Sequence, residues 1–146
     1  MDMNPSIEFI NEQVQFSLKK KLLLKSWIKK TIKNENHKQG PICFVFCNDG
    51  YLLKLNQKYL QHDYYTDILT FDHTDVDSKK NGIISGDLYI SIDRVRDNSA
   101  NSGPSFDTEL RRVMVHGILH LLGYSDHSKR EKERMKKKED FYLSKF

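Results

Sequence analysis

The run ELRRVMVHGILHLLGYSDH, residues 109–127, limits the fold more than any other stretch of the chain. Between Val113 and Leu122 only His116, Gly117 and His120 interrupt the apolar side chains. A run of that length suits a buried helix and is too short for a membrane span. Residues four apart share a helical face, so His116 and His120 stack one turn apart. Gly123 supplies the left-handed conformation that ends helices. Tyr124, Ser125 and Asp126 then make a short return that can carry His127 beside the first two rings. A lone histidine on an apolar helix is ordinarily a core residue with one hydrogen-bond partner. Two on one face present ring nitrogens that cost about 1–3 kcal/mol if left unsatisfied, and one divalent ion satisfies both. Three neutral imidazoles around a point, with a fourth position open, form the donor set of a zinc-type site.

The rest of the chain reads as a scaffold for that helix. At 146 residues a single domain, residues 1–146, is expected. A net charge of +4 with 30% charged residues leans toward an anionic partner. The start MDMNPSIEF lacks a basic segment followed by an apolar one, and no apolar run reaches spanning length. The expectation is a soluble, cytoplasmic protein with no membrane partner. Ile7–Glu12 alternates as a strand does. Phe16–Lys33 carries Leu24, Ile28 and Ile32 at helical spacing, and its lysines read as a solvated face. Gly40-Pro41 reads as a loop. Ile42–Cys47 is a continuous apolar run, a strand buried on both faces. Its cysteines, Cys43 and Cys47, stand about 13 Å apart on a strand, too far for a disulfide, and read as buried thiols. Tyr51–Leu60 is helical, Ile68–Phe71 a strand, Asp72–Asn81 an exposed connection and Ile84–Ile92 a strand. Asp93 starts a helix, Gly103-Pro104 breaks it, and Ser105 or Asp107 caps the histidine helix. Ser128 caps a last, highly charged helix; Met135, Phe141, Tyr142 and Leu143 could dock part of it, and a solvated helix is the expectation. The fold class is α+β: about four strands packed by about five helices, one carrying HxxxH.

Three chemistries could use the histidine helix. Zinc peptidases carry a glutamate after the first histidine as general base. Here that position is Gly117, which offers no proton acceptor and reads as opening room beside the ion. A structural zinc is usually closed by four protein ligands, whereas this chain clusters three. A metal-dependent hydrolase of phosphate esters needs no carboxylate at position 117.

At these residues a resemblance emerges. HGILHLLGYSDH resembles the HGxLHLxGYDH motif of the YbeY-type endoribonucleases, the bacterial rRNA maturation factors. LNQKYLQHDYYTDILTFD, residues 55–72, resembles that family's LNxxYRxxxxxTDVLSFP, and SGDLYIS, residues 85–91, its GDIVIS strand. The resemblance covers nearly the whole chain in order. It implies a mixed sheet of about four strands packed by helices, and a hydrolase acting on single-stranded RNA, in 3′-end maturation of 16S rRNA and in ribosome quality control. It implies one Zn2+ or another divalent ion on His116, His120 and His127, through which those residues are catalytic. The implied partners are rRNA and the small ribosomal subunit, with its proteins and assembly GTPases. The rival readings are a non-catalytic assembly factor with a structural zinc, and a metal-dependent hydrolase of another substrate. Two departures stand out. Six residues separate His120 from His127 where the family has five, which makes Ser125 an inserted residue if His127 is the ligand. Without a gap the third ligand falls on Asp126. And Leu60 replaces an arginine expected to contact RNA phosphate, so that Lys58, His62 or a lysine elsewhere would supply the contact, or activity would be weak. Thr66, Asp67 and the Gly86-Asp87 pair read as structural residues beside the site.

Overall fold

The computed structural model describes residues 5–146. The start of the chain, residues 1–4, read above for a leader segment, lies outside them. In chain order come β1 (Ile7–Asn11), α1 (Lys21–Asn34), β2 (Lys38–Cys47), α2 (Asp49–Leu60) and β3 (Ile68–Asp72). There follow α3 (Val76–Lys80), β4 (Ile83–Ser91), α4 (Ile92–Ser102), α5 (Phe106–Leu121) and α6 (Lys129–Leu143). The sheet order is β1-β2-β4-β3. β1 runs parallel to β2 and β2 to β4, while β3 pairs antiparallel to β4. This is the mixed α+β sheet expected. Among the described residues no helix is long and apolar enough to cross a membrane.

The period-two alternation of the strands sorts their side chains between two cores. Ile42, Phe44 and Phe46 of β2 and Ile84, Leu88 and Ile90 of β4 face the larger one, against α1, α5 and α6. Cys47, Leu69, Phe71 and Tyr89 face the other way, under Leu52 and Leu55 of α2. Cys43 and Cys47 are free thiols. Burial pushes the Cys47 thiol up to about 12.

Local chemistry set several boundaries that periodicity alone misplaced. α1 begins at Lys21, after Lys20 takes a left-handed conformation with φ of 59°. Phe16, expected to be helical, instead folds back to meet Phe46 and Phe106 edge-on. Gly40 and Pro41 lie within β2. Proline has no N–H to give the ladder, and the register against β4 shifts between Gln39 and Ile42 to accommodate it. Asp72–Asn81 is not wholly loop: Asp75 accepts from the Ser78 N–H at 2.7 Å and caps the short α3. That makes six helices among the described residues, where about five were expected.

The close seating of α5 on the sheet positions the site. Gly117 and Gly86 permit it. A Cβ on Gly117 would lie 2.3 Å from Leu88 Cδ2 and 2.6 Å from Ile68 Cδ1; one on Gly86 would lie 2.5 Å from the Phe71 carbonyl oxygen. Gly117 therefore does not open room beside an ion, as its sequence position suggested. It lets the helix backbone approach β3 and β4, and the final turns of α5 follow.

Candidate metal centre

Ser105 caps α5 by accepting from the Thr108 N–H, with Asp107 and Glu109 in the positive first turn. At the other end Gly123, with φ of 104°, reverses the chain. The Gly123 N–H donates to His120 O and the Tyr124 N–H to Leu119 O, each at 3.0 Å. These paired bonds form a Schellman stop. The reversal places the Tyr124 carbonyl 2.9 Å from His120 Nδ1. His116 Nδ1 faces Glu139 Oε2 of α6 at 2.6 Å. Both acceptors take the Nδ1 proton, so a neutral ring turns a bare Nε2 lone pair outward. The two Nε2 atoms stand 2.9 Å apart. Two lone pairs facing each other at that distance repel unless a proton or a cation stands between them.

The third donor at this point is Asp126. Its Oδ2 lies 3.4 Å from His116 Nε2 and 3.6 Å from His120 Nε2. His116, His120 and Asp126 form the group among the described residues whose ligand atoms could hold one ion. Edges of 2.9, 3.4 and 3.6 Å bracket the edge of about 3.3 Å of a tetrahedron with metal bonds of about 2.0–2.1 Å. Two imidazoles and a carboxylate, with a fourth side open, suit zinc and similar divalent ions.

His127, expected as the third ligand, lines the same cleft but lies outside this group, exposed to solvent. The reason is the start of α6. Ser128 and Glu131 form a reciprocal capping box. The Ser125 hydroxyl also donates to Glu131 Oε2. These bonds hold the Glu131 carboxyl down to about 2. With Ser125 turned to Glu131, the loop does not bulge to present His127, and Asp126 faces the rings.

The electrostatics of the two rings diverge. Burial works against a charge on His116, but the bond and charge of Glu139, then Asp126 and Asp67, outweigh it and raise the ring above its ordinary value. Burial and the neighbouring His116 lower His120, against the pull of Asp126. Behind the rings, Arg112 bonds Glu139 at 3.0 Å and Asp140 at 2.6 Å. Burial raises the carboxyls of both Asp67 and Glu109 above the ordinary range.

The centre opens into a cleft of about 560 Å³ between α2, β3 and the loop after α5. Leu60, His62, Tyr64, Thr66 and Asp67 contribute to its wall, so His62 is brought to the site. Lys58 is not; its ammonium lies over the Tyr59 ring. Among the described residues no lysine or arginine lines the cleft. Asn56 secures the wall by donating from its side-chain amide to the Tyr64 carbonyl at 2.9 Å.

Comparison with known proteins places the chain in one family. The family model described as Endoribonuclease YbeY matches residues 6–146. The chain belongs to the YbeY family. Relatives named Endoribonuclease YbeY include that of Cytophaga hutchinsonii, 43% identical over 95% of this chain and 94% of the relative. That of Amoebophilus asiaticus is 44% identical over 94% of this chain and 91% of its own length. A solution structure of a Thermotoga maritima protein superposes with a TM-score of 0.64 at 27% identity, covering 95% of this chain and 87% of the other.

Within the YbeY framework, Glu139 departs from expectation: its helix reads as solvated, yet Glu139 is 7% exposed. A signal was present: Met135, Glu139 and Tyr142 recur at i, i+4 and i+7, and all three are buried.

Proposed function

We propose that the protein is a metal-dependent endoribonuclease of rRNA processing, cutting single-stranded RNA in the cleft over His116, His120 and Asp126. The convergence of those three donors beside an open cleft carries the reading. A structural zinc is usually closed by a fourth protein ligand, which this group lacks, so the catalytic reading is favoured over a structural one. The chain's relatives are named endoribonucleases, and the reading extends that activity to this chain. Maturation of the 3′ end of 16S rRNA, ribosome quality control, and contacts with the small subunit, its proteins and assembly GTPases are the biological setting proposed with it.

A bound divalent ion, zinc in this reading, would supply Lewis-acid stabilisation of charge developing on the phosphoryl oxygens. His116, His120 and Asp126 would hold it. Glu139 and the Tyr124 carbonyl keep both imidazoles in the tautomer that leaves Nε2 free. Tyr64, stacked on His62 and 56% exposed, offers a flat face for an unpaired base. His62 and His127 are the basic side chains within reach of phosphate in a cleft free of lysine and arginine. Leu60, in the arginine position of the family motif, makes no charged contact.

The test is incubation of purified protein with single-stranded rRNA, using zinc-loaded, chelated and His120→Ala samples. Cleavage in the loaded sample alone supports the reading; equal decay in all three overturns it. The product's new 5′ end separates attack by the RNA 2′-hydroxyl, which leaves a 5′-hydroxyl, from hydrolysis to a 5′-phosphate.

A further inference from the structure

Glu35 is the C-cap of α1, outside the cleft, with its side chain 8% exposed. Its carboxylate is bonded by three groups from elsewhere in the chain. Oε1 accepts from the Tyr124 hydroxyl at 2.6 Å. Oε2 accepts from the Tyr142 hydroxyl and from Lys138 Nζ, the latter at 3.0 Å. Burial alone would raise this carboxyl; the two tyrosines and the lysine overcome that and lower it.

The partners of Glu35 stand next to the groups that orient the two imidazoles. Tyr124 presents its carbonyl to His120 Nδ1. Lys138 and Tyr142 lie on either side of Glu139 along α6, and Glu139 is the partner of His116 Nδ1. The Asn34 side chain reinforces the cluster by donating to the Tyr142 hydroxyl at 2.9 Å. Lys138 and Arg134 also lie over the Tyr124 ring, each 5.4 Å from its centre. One carboxylate thus ties the loop after α5 and the buried face of α6 to a single point on α1.

We propose that Glu35 is a positioning residue for the metal centre, the common anchor of the Tyr124 carbonyl and Glu139 that orient His120 and His116. The reason is mechanical. A ligand ring is useful only if its lone pair is aimed, and the aim is set by what its other nitrogen bonds. Tyr124 lies in a loop just beyond a helix stop, and α6 reaches α5 through side chains alone. Without Glu35 the loop and the helix are each freer to shift, and the acceptors shift with them.

The inference rests on the metal reading, and the experiment separates the two. Parent, Glu35→Ala, Glu35→Gln and Tyr124→Phe proteins are compared. Asn34→Ala serves as a control that removes a bond to Tyr142 and leaves Tyr124 with its partner. The first readout is the imidazole tautomer in metal-free protein, from long-range proton–nitrogen spectra. The second is zinc affinity by chelator competition. The parent should show Nδ1-protonated His120. Tyr124→Phe and Glu35→Ala should show mixed tautomers and bind zinc about tenfold more weakly, at the lower end of the loss typical for groups that orient metal ligands. Glu35→Gln should fall between them and the parent. Unchanged tautomers and unchanged affinity in both Tyr124→Phe and Glu35→Ala would overturn the proposal. So would a loss in Asn34→Ala as large as in Tyr124→Phe, since that marks general loosening. A parent that binds no zinc overturns the metal reading, while the tautomer comparison still decides the role of Glu35.

Discussion

His116 Nδ1 and Glu139 Oε2 lie 2.6 Å apart, joining residues 23 positions distant in the chain. The contact fixes which nitrogen of His116 faces the cleft, and it explains why an acidic residue is buried on an otherwise highly charged helix.

Glu139→Ala should therefore weaken zinc binding about 10- to 100-fold, the usual cost of losing a carboxylate behind a metal-ligating histidine. Chelator competition measures it. An affinity equal to the parent's would show that Glu139 serves packing alone.

The third donor can be tested by exchange. Asp126→Ala should lose most of the bound zinc, and His127→Ala should retain it, since Asp126 Oδ2 is the atom 3.4 and 3.6 Å from the two imidazole nitrogens. Metal analysis after dialysis is the measurement. The reverse result would return His127 to the ligand set.

Gly117→Ala should destabilise the fold by about 1–3 kcal/mol, the usual cost of overpacking, even though alanine favours helix by about 1 kcal/mol. The new methyl would fall 2.3 Å from Leu88 Cδ2 and 2.6 Å from Ile68 Cδ1. Urea denaturation measures it. A stabilised variant would mean that α5 can move off the sheet without loss.

Asp67 carries a pH signature. Burial raises its carboxyl above the ordinary 3.8. A carboxyl raised in the folded state binds its proton more tightly there than in the unfolded chain. Its contribution to stability is thus fully present below the ordinary value and declines as pH rises through the folded one. Asp67→Asn lacks this decline, so in metal-free protein it should gain on the parent as pH rises above the ordinary carboxyl value. Urea midpoints for both proteins across that range test it. A constant difference would place the Asp67 carboxyl in water.

Much of the architecture was legible because its causes are local. The spacing of His116 and His120, the stop at Gly123 and the caps at Ser105 and Ser128 depend on residues within a turn or two. The continuous apolar run of β2 likewise predicted a strand covered on both faces. The resemblance of the histidine, LNQKYL and SGDLYIS segments to one family added the mixed sheet. Where local signals conflict with pairing across the sheet, pairing prevails. Gly40-Pro41 carries turn residues, yet the pairing of β2 with β4 keeps them in a strand.

A helix with two imidazoles on one face and a loop returning toward them follows from residues close together in the chain. The completion of the three-donor group depends on elements packed from elsewhere in the fold. Asp126 rather than His127 faces the rings because Glu131 binds Ser125 and Ser128 across the loop. Glu139 reaches His116 because α6 packs its Met135–Tyr142 stripe into the core. Gly117 serves contact because β3 and β4 lie against it. Spacing along the chain constrains neighbours within a few ångströms of backbone. The direction of a side chain from another element depends on packing summed over the whole fold, which no window of sequence contains.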